Sequence, residues 1–172
     1  MPPTPTEFQV YSKLIEFLNG TDWEIICASP PAGTDYRYRK CLIPRRDLGG
    51  SEKGPRDEVD LAAYREKVLM VTECKARLSD SFSVLNALGE SDYEKLKRIM
   101  QTHTAARLAE LFRKGTGAPV PEGADVAAVL AVGLVDAPVP TDVSVMEFGA
   151  SAPRLFLRTR LLDQFWSQLD RE

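Results

Sequence analysis

Two runs of alternating side chains, Glu58 to Tyr64 and Val68 to Ala76, flank the short polar string Arg65-Glu66-Lys67, and that pattern commits the middle of the chain to a β-hairpin. Residues two apart share a face of a strand. In the first run Val59, Leu61 and Ala63 share one face, whereas Glu58 and Asp60 share the other. In the second, Glu73 and Lys75 lie on the face of Leu69 and Val71. A two-residue turn at Glu66-Lys67 sets Asp60 directly opposite Glu73. A turn closed one residue earlier sets Glu58 opposite Glu73, with Asp60 diagonal. Either register gathers charge on a largely apolar sheet.

Thr4-Pro5-Thr6-Glu7 reads as a helix start, with a threonine cap, a proline at the first helical position and a glutamate placed to close a capping box. Gly20 is its expected stop. Phe8, Val10, Tyr11, Leu14, Ile15, Phe17 and Leu18 recur at helical spacing on one broad face, with Glu7 near its middle and Glu16 on the solvent side. Trp23 to Ala28 predicts a short strand, followed by a long basic connection through Pro55 punctuated by proline and glycine. Beyond the hairpin, Ser91-Asp92-Tyr93-Glu94 opens a second helix expected to run to Gly115. Ala127 to Val135 is apolar enough for a central strand, Val143 to Phe148 supplies another, and Arg158 to Leu169 forms a closing amphipathic helix. The order is helix, three strands, helix, two strands, helix. It predicts an α/β domain in which helices flank a mixed central β-sheet. With 172 residues, 44% of them hydrophobic, the chain suits a single domain over residues 1–172.

Composition narrows the chemistry. No apolar run is long enough to cross a bilayer, and Met1 to Thr6 lacks the basic-then-apolar pattern of a secretory signal. A cytoplasmic protein without membrane contact is expected. Cys27, Cys41 and Cys74 have no C-x-x-C spacing and read as free thiols. His103 is the only histidine, which disfavours zinc hydrolases and most serine and cysteine hydrolases and leaves His103 structural or exposed. Carboxylates and lysine remain as the reactive groups.

Two carboxylates facing each other on an apolar sheet repel and lose hydration, so a fold keeps them only with compensation. A divalent cation supplies it. Magnesium prefers oxygen ligands, is often held by one or two carboxylates plus waters, and takes phosphate oxygens of a substrate. Lys75 beside it could orient or deprotonate an attacking water and stabilise the charge that develops on the phosphate.

Asp60, twelve intervening residues, then Glu73-Cys74-Lys75 resembles the D-x(n)-E-x-K signature of the PD-(D/E)xK nucleases, and the strings GPRDEVDLAAY and VLMVTECKA resemble the paired strands that carry it. The resemblance implies a restriction-endonuclease-like αβββαβ core. It also implies Mg2+ or Mn2+ as cofactor and phosphodiester hydrolysis of nucleic acid, DNA before RNA. Carried over, Asp60, Glu73 and the carbonyl of Cys74 hold the metal, and Lys75 acts on the water. Many relatives add a glutamate from the first helix, the role that falls to Glu7. Val59 stands where the nominal proline would be. The nearest strings resemble nuclease domains of CRISPR ancillary effectors and Mrr-like or Holliday-junction-resolvase-like enzymes, which points to defence, repair or recombination. Cutting a duplex would make a homodimer plausible.

Net charge is −3, yet residues 36–56 are basic. Arg37, Arg39, Lys40, Arg45 and Arg46 are the candidate nucleic-acid contacts, interleaved with Tyr36 and Tyr38 for stacking. The plainer alternatives are a solvated loop for this stretch, a strand-pair salt bridge for Asp60, Glu73 and Lys75, and a capping role for Glu7. Lys95, Lys97 and Arg98 read as an exposed helix face with Glu94 paired to Arg98. Tyr93 and Gln101 carry no assigned role, and Gly49-Gly50 with Gly54 is turn chemistry. The competing functions are a non-catalytic module of the same fold that binds nucleic acid or a protein, and an unrelated metal-dependent phosphohydrolase acting on nucleotides.

Overall fold

The computed structural model describes residues 3–31, 35–45, 54–149 and 153–158. The chain runs through α1 (Glu7–Asn19), β1 (Glu24–Ala28), β2 (Cys41–Pro44), β3 (Arg56–Val59), β4 (Leu61–Arg65) and β5 (Val68–Arg77). There follow the single turn α2 (Asp80–Ser83), α3 (Asp92–Thr102), α4 (Ala105–Thr116), β6 (Asp125–Leu134), β7 (Ser144–Glu147) and β8 (Arg154–Phe156). The result is an α/β fold with a mixed six-stranded sheet in the order β1-β4-β5-β6-β7-β8. Its centre is parallel (β5 with β6, β6 with β7) and its outer pairs are antiparallel. β6 is interior, as its apolar run predicts.

Helices cover both faces, and alternation along the strands decides which residues meet which helix. Val68, Met70 and Cys74 of β5, with Val129 and Ala131 of β6, pack against Val10, Leu14 and Leu18 of α1. Leu69 and Val71, with Leu130 and Val132, pack against Leu96 and Ile99 of α3 and Leu108 and Phe112 of α4. Each fully buried aliphatic side chain here contributes roughly 1.5–3 kcal/mol.

The start of α1 differs from the sequence expectation. Thr6, not Thr4, is the cap: its hydroxyl accepts the Gln9 N–H at 3.1 Å, and Gln9 Oε1 accepts the Thr6 N–H at 2.9 Å. Glutamine therefore closes the box, and Glu7 is left without a capping role. Gly20 ends the helix as expected, while Phe8 is exposed despite its apolar spacing.

The long basic connection contains a strand the sequence does not advertise. β2 pairs with β3 as a separate two-stranded antiparallel ribbon. The expected single strand from Glu58 to Tyr64 is broken at Asp60, where the chain leaves the ribbon and enters the main sheet. The Asp60 carbonyl there accepts the Ser29 N–H at 2.8 Å. The helix expected to run to Gly115 is likewise broken. His103 is extended (φ −120°, ψ 137°), and Thr104 caps α4 by accepting the Arg107 N–H at 3.1 Å. The His103 ring is buried, with Nε2 2.9 Å from the Pro44 carbonyl, so its role is structural. Gly117, left-handed at φ 74°, ends α4.

The cysteine expectation is overturned. Cys27 and Cys41 form a disulfide, and only Cys74 is a free, buried thiol. Ala28 N–H donates to the Arg39 carbonyl and Cys41 N–H to Ser29 Oγ. These bonds lay the start of β2 along the end of β1 and bring the two Cα atoms to 5.2 Å, within disulfide reach. A bridge of this kind is unusual in a reducing cytosol. From residue 159 onward the expected closing helix lies outside the described residues, as do Arg46 and Gly49-Gly50. Among the described residues no helix is long and apolar enough to cross a membrane.

Candidate active site

The hairpin closes with the two-residue turn. Arg65 pairs with Val68 and Leu61 with Thr72, so the register carried one residue further sets Asp60 opposite Glu73. β4 ends there, and the Asp60 side chain takes over its place in the ladder: Oδ2 accepts the Cys74 N–H at 2.7 Å. Backbone N–H and C=O of one strand residue point to the same side, so the Cys74 carbonyl faces the same gap. Asp60 is thus held at both ends, by Ser29 through its main chain and by Cys74 through its carboxylate.

Glu7, Asp60, Glu73 and Lys75 line one open cleft, as the sequence implied, and α3 adds Asp92 and Lys95. Lys75 Nζ donates to Glu7 Oε1 at 3.1 Å and lies 3.5 Å from Asp92 Oδ2. Lys95 Nζ lies 3.0 Å from Glu73 Oε1 and donates to the Glu58 carbonyl. The side chains of Lys95 and Glu73 are only 12% and 5% exposed. They form a buried pair, and the exposed helix face expected at Lys95 is incorrect. Arg98 also turns inward, forking onto Asp57 at 2.7 and 2.9 Å and onto Glu90 at 2.8 and 2.9 Å rather than onto Glu94. Tyr93 bonds Asp142 outside the cleft.

Asp92 and Lys95 carried a signal in the sequence. With Leu96 and Ile99 they occupy i, i+3, i+4 and i+7, the spacing of a buried stripe. Two charges on such a stripe indicate an inward polar site.

The electrostatics follow from burial and crowding. Desolvation pushes the Asp60 carboxyl up to about 7 against the Cys74 N–H, which pulls it down, and the nearby Asp92 and Glu7 carboxylates add to the rise. Burial also pushes Glu73 well above the usual carboxylate range, reinforced by Asp60. Burial alone would lower both lysines, but neighbouring carboxylates outweigh it: Asp92 and Glu7 around Lys75, Glu73 beside Lys95. Both are raised. Counting the exposed Glu58, five carboxylates and two ammonium groups line the cleft, an excess of negative charge. Glu73 Oε1 and Asp92 Oδ2 are buried without a hydrogen-bond partner of good geometry. Among the described residues no three His, Cys, Asp or Glu side chains converge closely enough to form a metal cluster.

Among the described residues, none of the predicted basic contacts lines this cleft. The Arg37 guanidinium is forked onto Asp35 at 2.8 and 3.0 Å, which holds the Asp35 carboxyl down near 2. Arg39 donates to the Gly115 carbonyl at 3.0 Å, and Tyr36 is almost fully exposed. Lys40 lines a different cavity, between β2 and α4. Arg45 donates its backbone N–H to the Pro55 carbonyl.

Comparison with family models, curated proteins and solved structures finds no match to this chain.

Proposed function

We propose that the chain is a magnesium- or manganese-dependent nuclease of the PD-(D/E)xK type, with a restriction-endonuclease-like core and DNA as its preferred substrate. The observation that carries this reading is the seat of Asp60. A broken strand presents its carboxylate across from Glu73 and onto the Cys74 amide, in the same cleft as Lys75 and Glu7. A plain cross-strand salt bridge would pair Lys75 with Asp60, whereas Lys75 pairs with Glu7 and Asp92.

The donor set suits the ion. Asp60, Glu73 and the Cys74 carbonyl are oxygen ligands, the cleft carries surplus negative charge, and magnesium needs only one or two carboxylates when water and phosphate complete its shell. Bound there, the ion would polarise a phosphodiester and lower the pKa of a coordinated water. Lys75, held as an ammonium between Glu7 and Asp92, orients the attacking water and meets the charge that builds on the phosphate. Glu7, at the cleft rim with a side chain 36% exposed, takes the proton that the water gives up. A duplex substrate would call for a second copy of the chain to cut the second strand.

One observation favours a non-catalytic module of the same fold: Lys95 already neutralises Glu73, so the cleft is partly self-compensated. Cleavage assays on plasmid, single-stranded DNA and RNA with magnesium or manganese separate the two. Metal-dependent cleavage that Lys75→Ala abolishes while metal still raises the melting temperature is the expected result. Equal cleavage by Lys75→Ala refutes the mechanism, and no cleavage by the parent chain leaves the binding module.

A further inference from the structure

A cavity of about 360 Å3 opens between the β2–β3 ribbon and the C-terminal end of α4. Its charged lining has one sign: Arg39, Lys40, Arg56 and Lys114. Lys114 is paired to Glu110 at 2.8 Å, but Lys40 and Arg56 are exposed and form no ion pair among the described residues. A helix C-terminus would normally repel an anion through its dipole. Here Arg39 donates to the Gly115 carbonyl, and Arg113 and Lys114 occupy the last turn of α4. The floor is apolar, from Leu42, Leu111 and Phe112.

Strand register connects this cavity to the acidic cleft. Leu42 pairs with Glu58 and Pro44 with Arg56, and alternation puts these four on the outer face of the ribbon, with Asp57 and Val59 buried beneath. Carried outward, the same register sets Lys40 across from Asp60. Arg56 is four residues before Asp60, so no more than about 14 Å of chain separates the basic cavity from the carboxylate of the cleft.

We propose that this cavity holds backbone phosphates of a nucleic-acid strand a few nucleotides from the one that enters the acidic cleft. Lys40 and Arg56 are the phosphate contacts, and the apolar floor receives a base or sugar. The assignment rests on the nuclease reading only for what happens at the cleft; strand binding by the cavity stands apart from it.

The test is binding of a labelled single-stranded oligonucleotide to the full chain in EDTA across a salt series. Lys40→Gln/Arg56→Gln is expected to bind about 10-fold or more weakly, with the slope of log affinity against log salt shallower by about 1.4, at about 0.7 per lost contact. Each single substitution should give about half that change in slope and keeps the test open should the double variant not fold. Unchanged affinity and slope, or no binding by the parent chain, overturns the proposal. Displacement by polyglutamate as effective as by unlabelled oligonucleotide overturns it in favour of an acidic protein segment. Cleavage of the same oligonucleotide with magnesium is read separately. Its absence, with the binding difference intact, retires the nuclease reading and leaves the cavity assignment standing.

Discussion

Replacing Lys95 with methionine keeps most of the buried stem and removes the ammonium from both Glu73 and the Glu58 carbonyl. A hydrogen bond to a charged group contributes about 1.5–3 kcal/mol. The loss is capped because burial has already pushed Glu73 well up, so it takes a proton rather than stay charged and unpaired. A cost of about 2 kcal/mol corresponds to a drop of about 4–8 °C in melting temperature for a chain of this size. The effect of metal should run the other way. In the parent chain an incoming ion competes with Lys95 for Glu73; in Lys95→Met it displaces only a proton from that carboxyl. Thermal melts in EDTA and in saturating magnesium should therefore show a larger metal-induced rise for the variant. Equal rises, or a variant that melts with the parent in EDTA, would refute the idea that Lys95 is the resident counter-ion.

Arg98→Met leaves Asp57 buried without its fork and should cost about 3–5 kcal/mol, read by urea denaturation; Arg98→Met/Asp57→Leu should recover most of it. Gly133→Ala places a methyl 2.7 Å from the Ala76 carbonyl and 3.0 Å from Pro5. It should cost about 1–3 kcal/mol, and an unchanged melting temperature would contradict that packing. All three cysteines are buried, so unfolding without reductant should expose one thiol to a labelling reagent, Cys74, and unfolding with reductant three. Closing a loop of this length stabilises by about 3 kcal/mol, so the reduced chain should melt about 6–12 °C lower.

What the sequence disclosed, it disclosed through period and turn chemistry. The sequence offered two hairpin registers, and the one closed by the two-residue turn at Glu66-Lys67 is adopted, which brings Asp60 opposite Glu73; the apolar run of β6 announced an interior strand. The misses share a cause, which is that tertiary partners overrode local signals. Cys27 and Cys41 are 14 residues apart and meet only because β2 folds back along β1. β2 itself lies in a basic, proline-bounded stretch that earns its strand from pairing with β3. Lys95 and Arg98 resemble solvated helix charges until Glu73 and Asp57 come to face them. At the helix start the sequence pointed to Thr4, ahead of a proline, and the reciprocal bond with Gln9 moves the cap to Thr6.

Asp60 is fastened at two points where the ribbon meets the sheet, its peptide oxygen to the Ser29 amide just past β1 and its acid group to the Cys74 amide of β5. Any occupant that draws the acid group off the Cys74 amide must replace that bond or strand the amide, a penalty of about 1–3 kcal/mol. Were an ion seated at the acid group and a strand held along the ribbon, both would bear on this one residue, and each binding event would change the free energy of the other.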